Sequence, residues 1–337
     1  MASREPPMLL VGDVGGTKTD LAIYARGSNA HSPVARKQFH SADYPGVAAM
    51  AAGFLADLKT PICQATFDVA GPVINRAAVT TNLPWVMDEE SLARDLNVKS
   101  VHLMNDLEAV AHAIPILRES DIVTLNAGEP VPKTAIAVIA PGTGLGQSFL
   151  TWNGSRYIPQ SSEGGHSDFA ATERSQMALL EYLLTRFEHV SVERVCSGIG
   201  IPNIYEYLSN VKRIDEAPEI ARRIALTKDP TKEIVEAAID PDKKSPLCVA
   251  TIEMFVSILA SEAGNLALKV LATGGIYLAG GIAVNSLRKL QEPAFMRAFT
   301  NKGRFSELMK RIPVHVITTN AALAGAAAYA LENVTDY

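Results

Sequence analysis

Leu9-Leu10-Val11-Gly12-Asp13-Val14-Gly15-Gly16-Thr17-Lys18-Thr19-Asp20-Leu21-Ala22-Ile23-Tyr24 has a counterpart further along the chain, Ala135-Ile136-Ala137-Val138-Ile139-Ala140-Pro141-Gly142-Thr143-Gly144-Leu145-Gly146-Gln147-Ser148-Phe149-Leu150. In each, a short apolar run rich in β-branched residues meets a Gly/Thr turn, and a second strand-like run follows. That is the pattern of a β-hairpin rather than of a strand leading into a helix. Glycines and a hydroxyl at the tip let backbone N–H groups face one way, because no Cβ blocks close approach, and such a concavity holds an anion. Either turn alone reads as an ordinary tight hairpin. Two matched copies, one carrying an inward acid at Asp13, point instead to one polyphosphate clamped between two related domains. Gly12 to Thr19 misses the Walker A loop, since Thr17 stands where its second glycine must be and no helical period follows. A dinucleotide fingerprint fails likewise, because Gln147 to Trp152 reads as a strand.

Outward from the hairpins, strands and helices alternate. A helix is expected at Gly46 to Leu58, a strand at Ala65 to Ala70, a turn at Asn82 to Trp85 and a helix at Asp88 to Leu96. The strand Ser100 to Met104 ends at Asn105-Asp106, and Leu107 to Leu117 reads as helix. Beyond the second hairpin come a glycine loop at Ser161 to Asp168 and an amphipathic helix at Thr172 to Phe187. Met177, Leu180, Leu184 and Phe187 would share its apolar face. Asn210 to Lys244 reads as surface helices and loops. The apolar stretch Leu247 to Ala272 is broken by Glu253, Glu262, Asn265 and Lys269, which makes it a buried helix and not a membrane span. A strand at Ile276 to Ala279 leads into Gly280-Gly281 and another helix, and the alanine-rich Ala321 to Leu331 is a helix that must pack tightly. This is an α/β pattern in two domains around a cleft, in which ligands bind beyond the strand carboxyl ends.

Composition narrows the function. At 337 residues, 47% hydrophobic and 20% charged, the chain has the make-up of a soluble globular protein with room for two cores. A formal charge of −5 excludes a broad nucleic-acid-binding surface, although backbone amides and one metal ion suffice to hold a nucleotide. Cys63, Cys196 and Cys248 are dispersed, so a zinc knuckle is not expected and a reducing, cytosolic compartment is. Met1 to Pro7 reads as a disordered tail rather than a signal peptide.

Several residues could carry chemistry. Asp106, at a strand end and in the first turn of a helix, could accept a proton from a substrate hydroxyl, or it or Asn105 could simply cap the helix. Ser162-Glu163-Gly164-Gly165-His166-Ser167-Asp168 gathers two acids and an imidazole that could bind a metal or several hydroxyls, although His166 alone is more often a satisfied surface histidine. The segment lacks the spacing of a metal motif. Glu193 could be a plain first-turn acid. Asp13 could ligate Mg²⁺, directly or through water, or merely orient its hairpin. Gly280-Gly281 offers a slot for a flat base, or close helix–strand packing.

The chain resembles the bacterial-type glucokinases of the actin/hexokinase/Hsp70 superfamily, almost end to end. The matching segments are Val11 to Thr17, Met104-Asn105-Asp106, Gly142 to Gly146, Glu163-Gly164-Gly165-His166, His189 to Arg194, Gly264 to Leu268, Leu278 to Ile282 and Lys302 to Phe305. The resemblance implies a two-domain actin/hexokinase-like (ribonuclease H-like) α/β fold with an interdomain cleft. Its small domain would comprise residues 8–106 and 318–334, and its large domain residues 107–317. It implies ATP-dependent phosphorylation of glucose at the 6-hydroxyl, with Asp106 as general base and Asn105, Glu163, His166 and Glu193 holding the other hydroxyls. Gly12, Asp13, Val14, Gly15, Gly16, Thr17, Gly142, Thr143 and Gly144 would clamp the phosphates, with Mg²⁺ near Asp13, and Gly280 and Gly281 would lie beside adenosine. A cytosolic homodimer with no nucleic-acid or membrane partner completes that expectation. Pro141 departs from the usual small residue and removes a donor from the second turn. Ala322 replaces a common proline. The zinc-bearing repressor-and-kinase branch is excluded by the cysteines. A kinase for another hexose or an aminosugar, or a non-catalytic sugar sensor of the same fold, are the alternatives.

Overall fold

The computed structural model describes residues 8–58, 61–80, 83–240, 242 and 245–334. The expected tail at residues 1–7, and Asn82 of the expected turn, lie outside them. The chain divides into two compact units, one of Met1–Arg118 with Thr319–Tyr337 and one of Glu119–Thr318.

The first unit is built on β1 (Met8–Val14), β2 (Lys18–Ala25), β3 (Ala35–His40), β4 (Ile62–Val69) and β8 (Ser100–Asn105), ordered β3-β2-β1-β4-β8. β5 (Val73–Ile74), β6 (Ala77–Val79) and β7 (Val86–Asp88) form a small separate sheet. The opening hairpin is as expected: β1 and β2 are antiparallel, with Val14 opposite Thr19 and Asp13 opposite Asp20. β4 runs parallel to β1, and β8 runs parallel to β4. Period-two alternation along β1 sends Leu10 and Val14 to one core and Leu9 and Val11 to another. The first core is roofed by helices Val47–Leu58 and Glu89–Asp95, through Met50, Phe54 and Leu92. Each such buried side chain contributes about 1.5–3 kcal/mol.

Asp13 falls on the second face, under helices Asp106–Ala113 and Ala321–Glu332. The expected tight packing of the alanine-rich helix is there. A Cβ on its Gly325 would stand 1.7 Å from the Ala109 carbonyl oxygen, so the two backbones touch where no side chain fits.

The second unit repeats the plan. β10 (Ile136–Pro141), β11 (Leu145–Trp152) and β12 (Tyr157–Ser162) form an antiparallel meander, and β13 (Gly275–Leu278) and β14 (Val314–Ile317) continue it in parallel. β9 (Ile122–Asn126) is added antiparallel at the edge, giving the order β12-β11-β10-β13-β14-β9. The 25-residue helix Pro246–Val270 crosses its core, with Leu247, Phe255, Leu259 and Ala263 fully buried. Its Glu262 is buried too, and is satisfied by Gln147 Nε2 at 2.9 Å and Asn265 Nδ2 at 3.0 Å. Lys302 Nζ completes the chain, donating to Asn265 Oδ1 at 2.8 Å and to the Ser261 carbonyl at 2.9 Å. A polar group in a core is tolerated only when bonded in this way.

Two expectations are corrected. Helix Arg174–Leu184 buries Gln176, Leu179 and Leu183, while Met177 and Leu184 are more than half exposed. Leu180 and Phe187 of the expected face do pack against the core, but its fully buried stripe is the neighbouring one, and Gln176 is tolerated there because it bonds Thr172 and Ser257. The stretch 210–244 is not only surface: helices Pro218–Leu226 and Pro230–Ile239 send Ile220, Ile234, Val235, Ala237 and Ala238 into the core. Their charged outer faces hid that stripe.

Candidate active site

In the first unit the carboxyl ends of β1, β4 and β8 present Asp13, Asp68 and Asn105-Asp106. Asn105 is the N-cap of the helix Asp106–Ala113: its Oδ1 accepts from the Leu107 amide at 2.9 Å and its Nδ2 donates to the Gly71 carbonyl at 2.9 Å. Asp106 is therefore the first helical residue, and its Oδ1 also accepts from Leu107 at 2.9 Å. Its side chain reaches solvent but is crowded by protein, and this desolvation raises its pKa from the usual carboxylate value, against the lowering effect of the Leu107 amide. Such a shift suits a proton acceptor.

Asp13 is held by Asn320, whose Nδ2 donates to Oδ2 at 2.8 Å at the start of the C-terminal helix. Desolvation raises the Asp13 carboxyl, opposed first by that bond. Directly opposite it across the parallel pair stands Asp68, fully buried and pushed well above the ordinary range by burial and then by Asp13. Neither Asp68 nor Asn320 belongs to a recognisable motif. The one signal in the sequence for Asp68 is an acid inside an otherwise apolar strand.

The two hairpin turns are alike in one telling respect. In the first, the Gly15 amide is used on Lys18 at 3.1 Å, and Ser41 ties the loop through the Gly15 and Thr17 carbonyls. In the second, the Gly142 amide bonds the Gly144 carbonyl at 2.9 Å, and Gly198 and Ile199 tie down the Gly142 and Thr143 carbonyls. Among the described residues, the amides of Gly16 and Thr17, and of Thr143 and Gly144, meet no protein acceptor. Each turn thus offers two unspent donors at its tip, as an anion cradle requires. Gly12 and Val14 are buried in the core and can offer only backbone. Pro141 ends β10 opposite Leu145, so its missing donor falls before the tip rather than on it. Gly280 has φ +87°, and a Cβ there would stand 2.7 Å from the Pro141 carbonyl oxygen, so close helix–strand packing is part of its role. Gly281 follows as the first residue of helix Gly281–Asn285.

In the second unit Glu163, His166 and Glu193 are brought together around Leu145. Glu193 Oε2 accepts from the Leu145 amide at 2.9 Å, and a Cβ on Gly144 would fall 2.4 Å from that oxygen. Gly165 packs against the Leu145 carbonyl, and Val192 N bonds Ser167 O at 2.9 Å, joining the 163–168 loop to the 191–193 turn. The Glu163 and His166 side chains are 87% and 63% exposed and 4.0 Å apart, open to a ligand. Asp168, by contrast, pairs with His189 at 2.9 Å.

Among the described residues no group of three or more His, Cys, Asp and Glu side chains is arranged to hold a metal. The donors present are hard carboxylate oxygens, with both oxygens of Asp68 buried and unbonded. That set fits Mg²⁺, which is held by one or two carboxylates while water and phosphate fill the rest of its shell.

A meander-plus-parallel sheet repeated in the two units, each opened by a glycine-turn hairpin, is the plan of the actin/hexokinase-like sugar kinases. The Glucokinase family matches residues 10–333. A glucokinase of Nostoc punctiforme is 40% identical over 334 residues, covering 95% of this chain and 98% of its own length. The crystal structure of a glucokinase from an Antarctic psychrotroph superposes with a TM-score of 0.83 at 31% identity, covering 97% of this chain and 99% of that one. A ROK-family glucokinase from Streptomyces griseus, in complex with glucose and AMPPNP, shares the fold at a TM-score of 0.62 and 17% identity, over 97% and 100% of the two chains. The chain belongs to the glucokinase family.

Proposed function

We propose that this protein transfers the terminal phosphoryl group of ATP to the 6-hydroxyl of glucose. The observation that carries the reading is Asp106: a carboxylate at a helix start, sharing the cap of the Leu107 amide with Asn105 and raised by desolvation. It accepts the hydroxyl proton as the oxygen attacks phosphorus. Phosphoryl transfer asks little else of a protein than positioning and neutralisation of charge. Glu163, His166, Glu193 and the Asn105 segment hold the remaining hydroxyls. The tip amides of Gly16, Thr17, Thr143 and Gly144 receive phosphate oxygens, and Gly280-Gly281 lies beside the base. Mg²⁺, held at Asp13, would neutralise phosphate charge.

The family membership supports the glucokinase activity, and the glucose and AMPPNP bound by the Streptomyces griseus relative support the ligand pair. A cytosolic homodimer is part of the same reading, supported by the dispersed, buried Cys63, Cys196 and Cys248 for the compartment and by the resemblance for the dimer. The test is a coupled assay for glucose 6-phosphate with ATP and Mg²⁺, run beside mannose, fructose, galactose, glucosamine and N-acetylglucosamine. Glucose should have the highest kcat/KM. A higher value for an aminosugar would move the assignment to that substrate, and no turnover of any sugar would favour a sensor.

A further inference from the structure

Asp13 and Asp68 are partners in register on adjacent parallel strands, and their side chains point to the same face of the sheet. Asp68 is fully buried, and among the described residues no donor reaches either of its carboxylate oxygens. The charged groups that act on it are carboxyls, Asp13 first and then Asp106. A carboxylate withdrawn from water without a donor or a counter-charge is among the costliest groups a fold can hold. Asp13 keeps some access to solvent and is oriented by Asn320, so the pair opens on its Asp13 side. A buried carboxyl with both oxygens unbonded, beside a second carboxyl that reaches solvent and is held by Asn320, matches the one-or-two-carboxylate donor set of Mg²⁺.

We propose that Asp68 is the second carboxylate of the divalent-cation site, acting with Asp13 to set its affinity. The inference rests on the reading that the cation binds at Asp13. It assigns Asp68 a role that Val11 to Thr17 and the other matching segments do not contain.

The experiment uses Mn²⁺ as probe on the full chain without nucleotide. Free Mn²⁺ is followed by its paramagnetic resonance signal, for wild type, Asp13→Asn, Asp68→Asn and Asp68→Ala. Melting in chelator verifies that each variant is folded. Wild type should bind one Mn²⁺, and both Asp68 variants should bind it about 10-fold or more weakly, with glucose affinity by calorimetry unchanged. Asp68 variants that bind Mn²⁺ like wild type, beside an Asp13→Asn variant that does not, would overturn the role of Asp68 and leave the Asp13 site standing. Wild-type affinity in all three variants would remove the Asp13 reading as well. Infrared difference spectra of the wild type on adding Mg²⁺ need no variant at position 68. Shifted bands from two carboxyl groups are expected, and a shift of only one would refute the pair.

Discussion

The side chain of Asn105 accepts the amide of Leu107 at 2.9 Å, so the helix that starts at Asp106 is capped by the residue before it. This separates two roles that coincide in the sequence. Asp106→Asn should leave the cap, and hence the melting temperature, nearly unchanged. Turnover should fall by about 10²–10⁴-fold, because an amide cannot take the hydroxyl proton. Asn105→Ala should do the reverse in part, lowering stability by about 0.5–2 kcal/mol. Activity and melting of both variants decide the matter, and a fully active Asp106→Asn enzyme would end the proposed mechanism.

Glu193, proposed to hold a sugar hydroxyl, also accepts the Leu145 amide at the end of the second turn. Glu193→Gln keeps an acceptor for that amide and removes only the charge. Its glucose KM should rise by the equivalent of about 1.5–3 kcal/mol, with the ATP KM steady. Glu193→Ala also frees the end of the second turn, so both KM values should rise. Steady-state kinetics on the two variants test this split.

Gly325 sits where the two helix backbones touch, with no room for a Cβ beside Ala109. Gly325→Ala should cost about 1–3 kcal/mol of stability, although alanine is the better helix former, because overpacking outweighs propensity here. Denaturant unfolding measures it. A stabilised variant would mean that the helices part easily.

Burial and the Asp13 carboxyl hold Asp68 well above the usual 3.8, so the folded chain binds that proton more tightly than the unfolded chain does. The stabilisation is complete below the unfolded value and is lost as pH rises through the folded one. In chelator, wild type should therefore lose stability relative to Asp68→Asn as pH rises above the ordinary carboxylate range. Melting curves across that range check the sign, and a gap that grows in favour of wild type would contradict it.

Both hairpins were legible in the sequence because glycine turns between β-branched runs are local events, decided within a few residues. The Pro246–Val270 helix was legible as a helix, but its length and composition would also suit a membrane span, and what makes it a core helix is the burial of Leu247, Phe255, Leu259 and Ala263 in the second unit. The stripe of helix Arg174–Leu184 was not, since Met177 and Leu179 are about equally apolar and only the neighbouring helices decide which is covered. Gln176 misled the pattern further by being buried and bonded.

The site divides along the same line. Asp106, Glu163, His166 and Glu193 stand in motifs whose residue types already fit proton transfer and hydroxyl binding. That Asn105 does the capping, that Glu193 reaches the Leu145 amide, and that four tip amides remain unspent all depend on hydrogen bonds that spacing alone does not specify. Asp68 is the extreme case. In the sequence it is one acid in an apolar strand, and it acquires meaning only when β4 pairs with β1 in a register that sets it beside Asp13. Local chemistry determined the turns, the helices and the reactive residue types. Pairing and packing, which join residues far apart in the chain, decided which carboxylates share a site and which donors are left for a ligand.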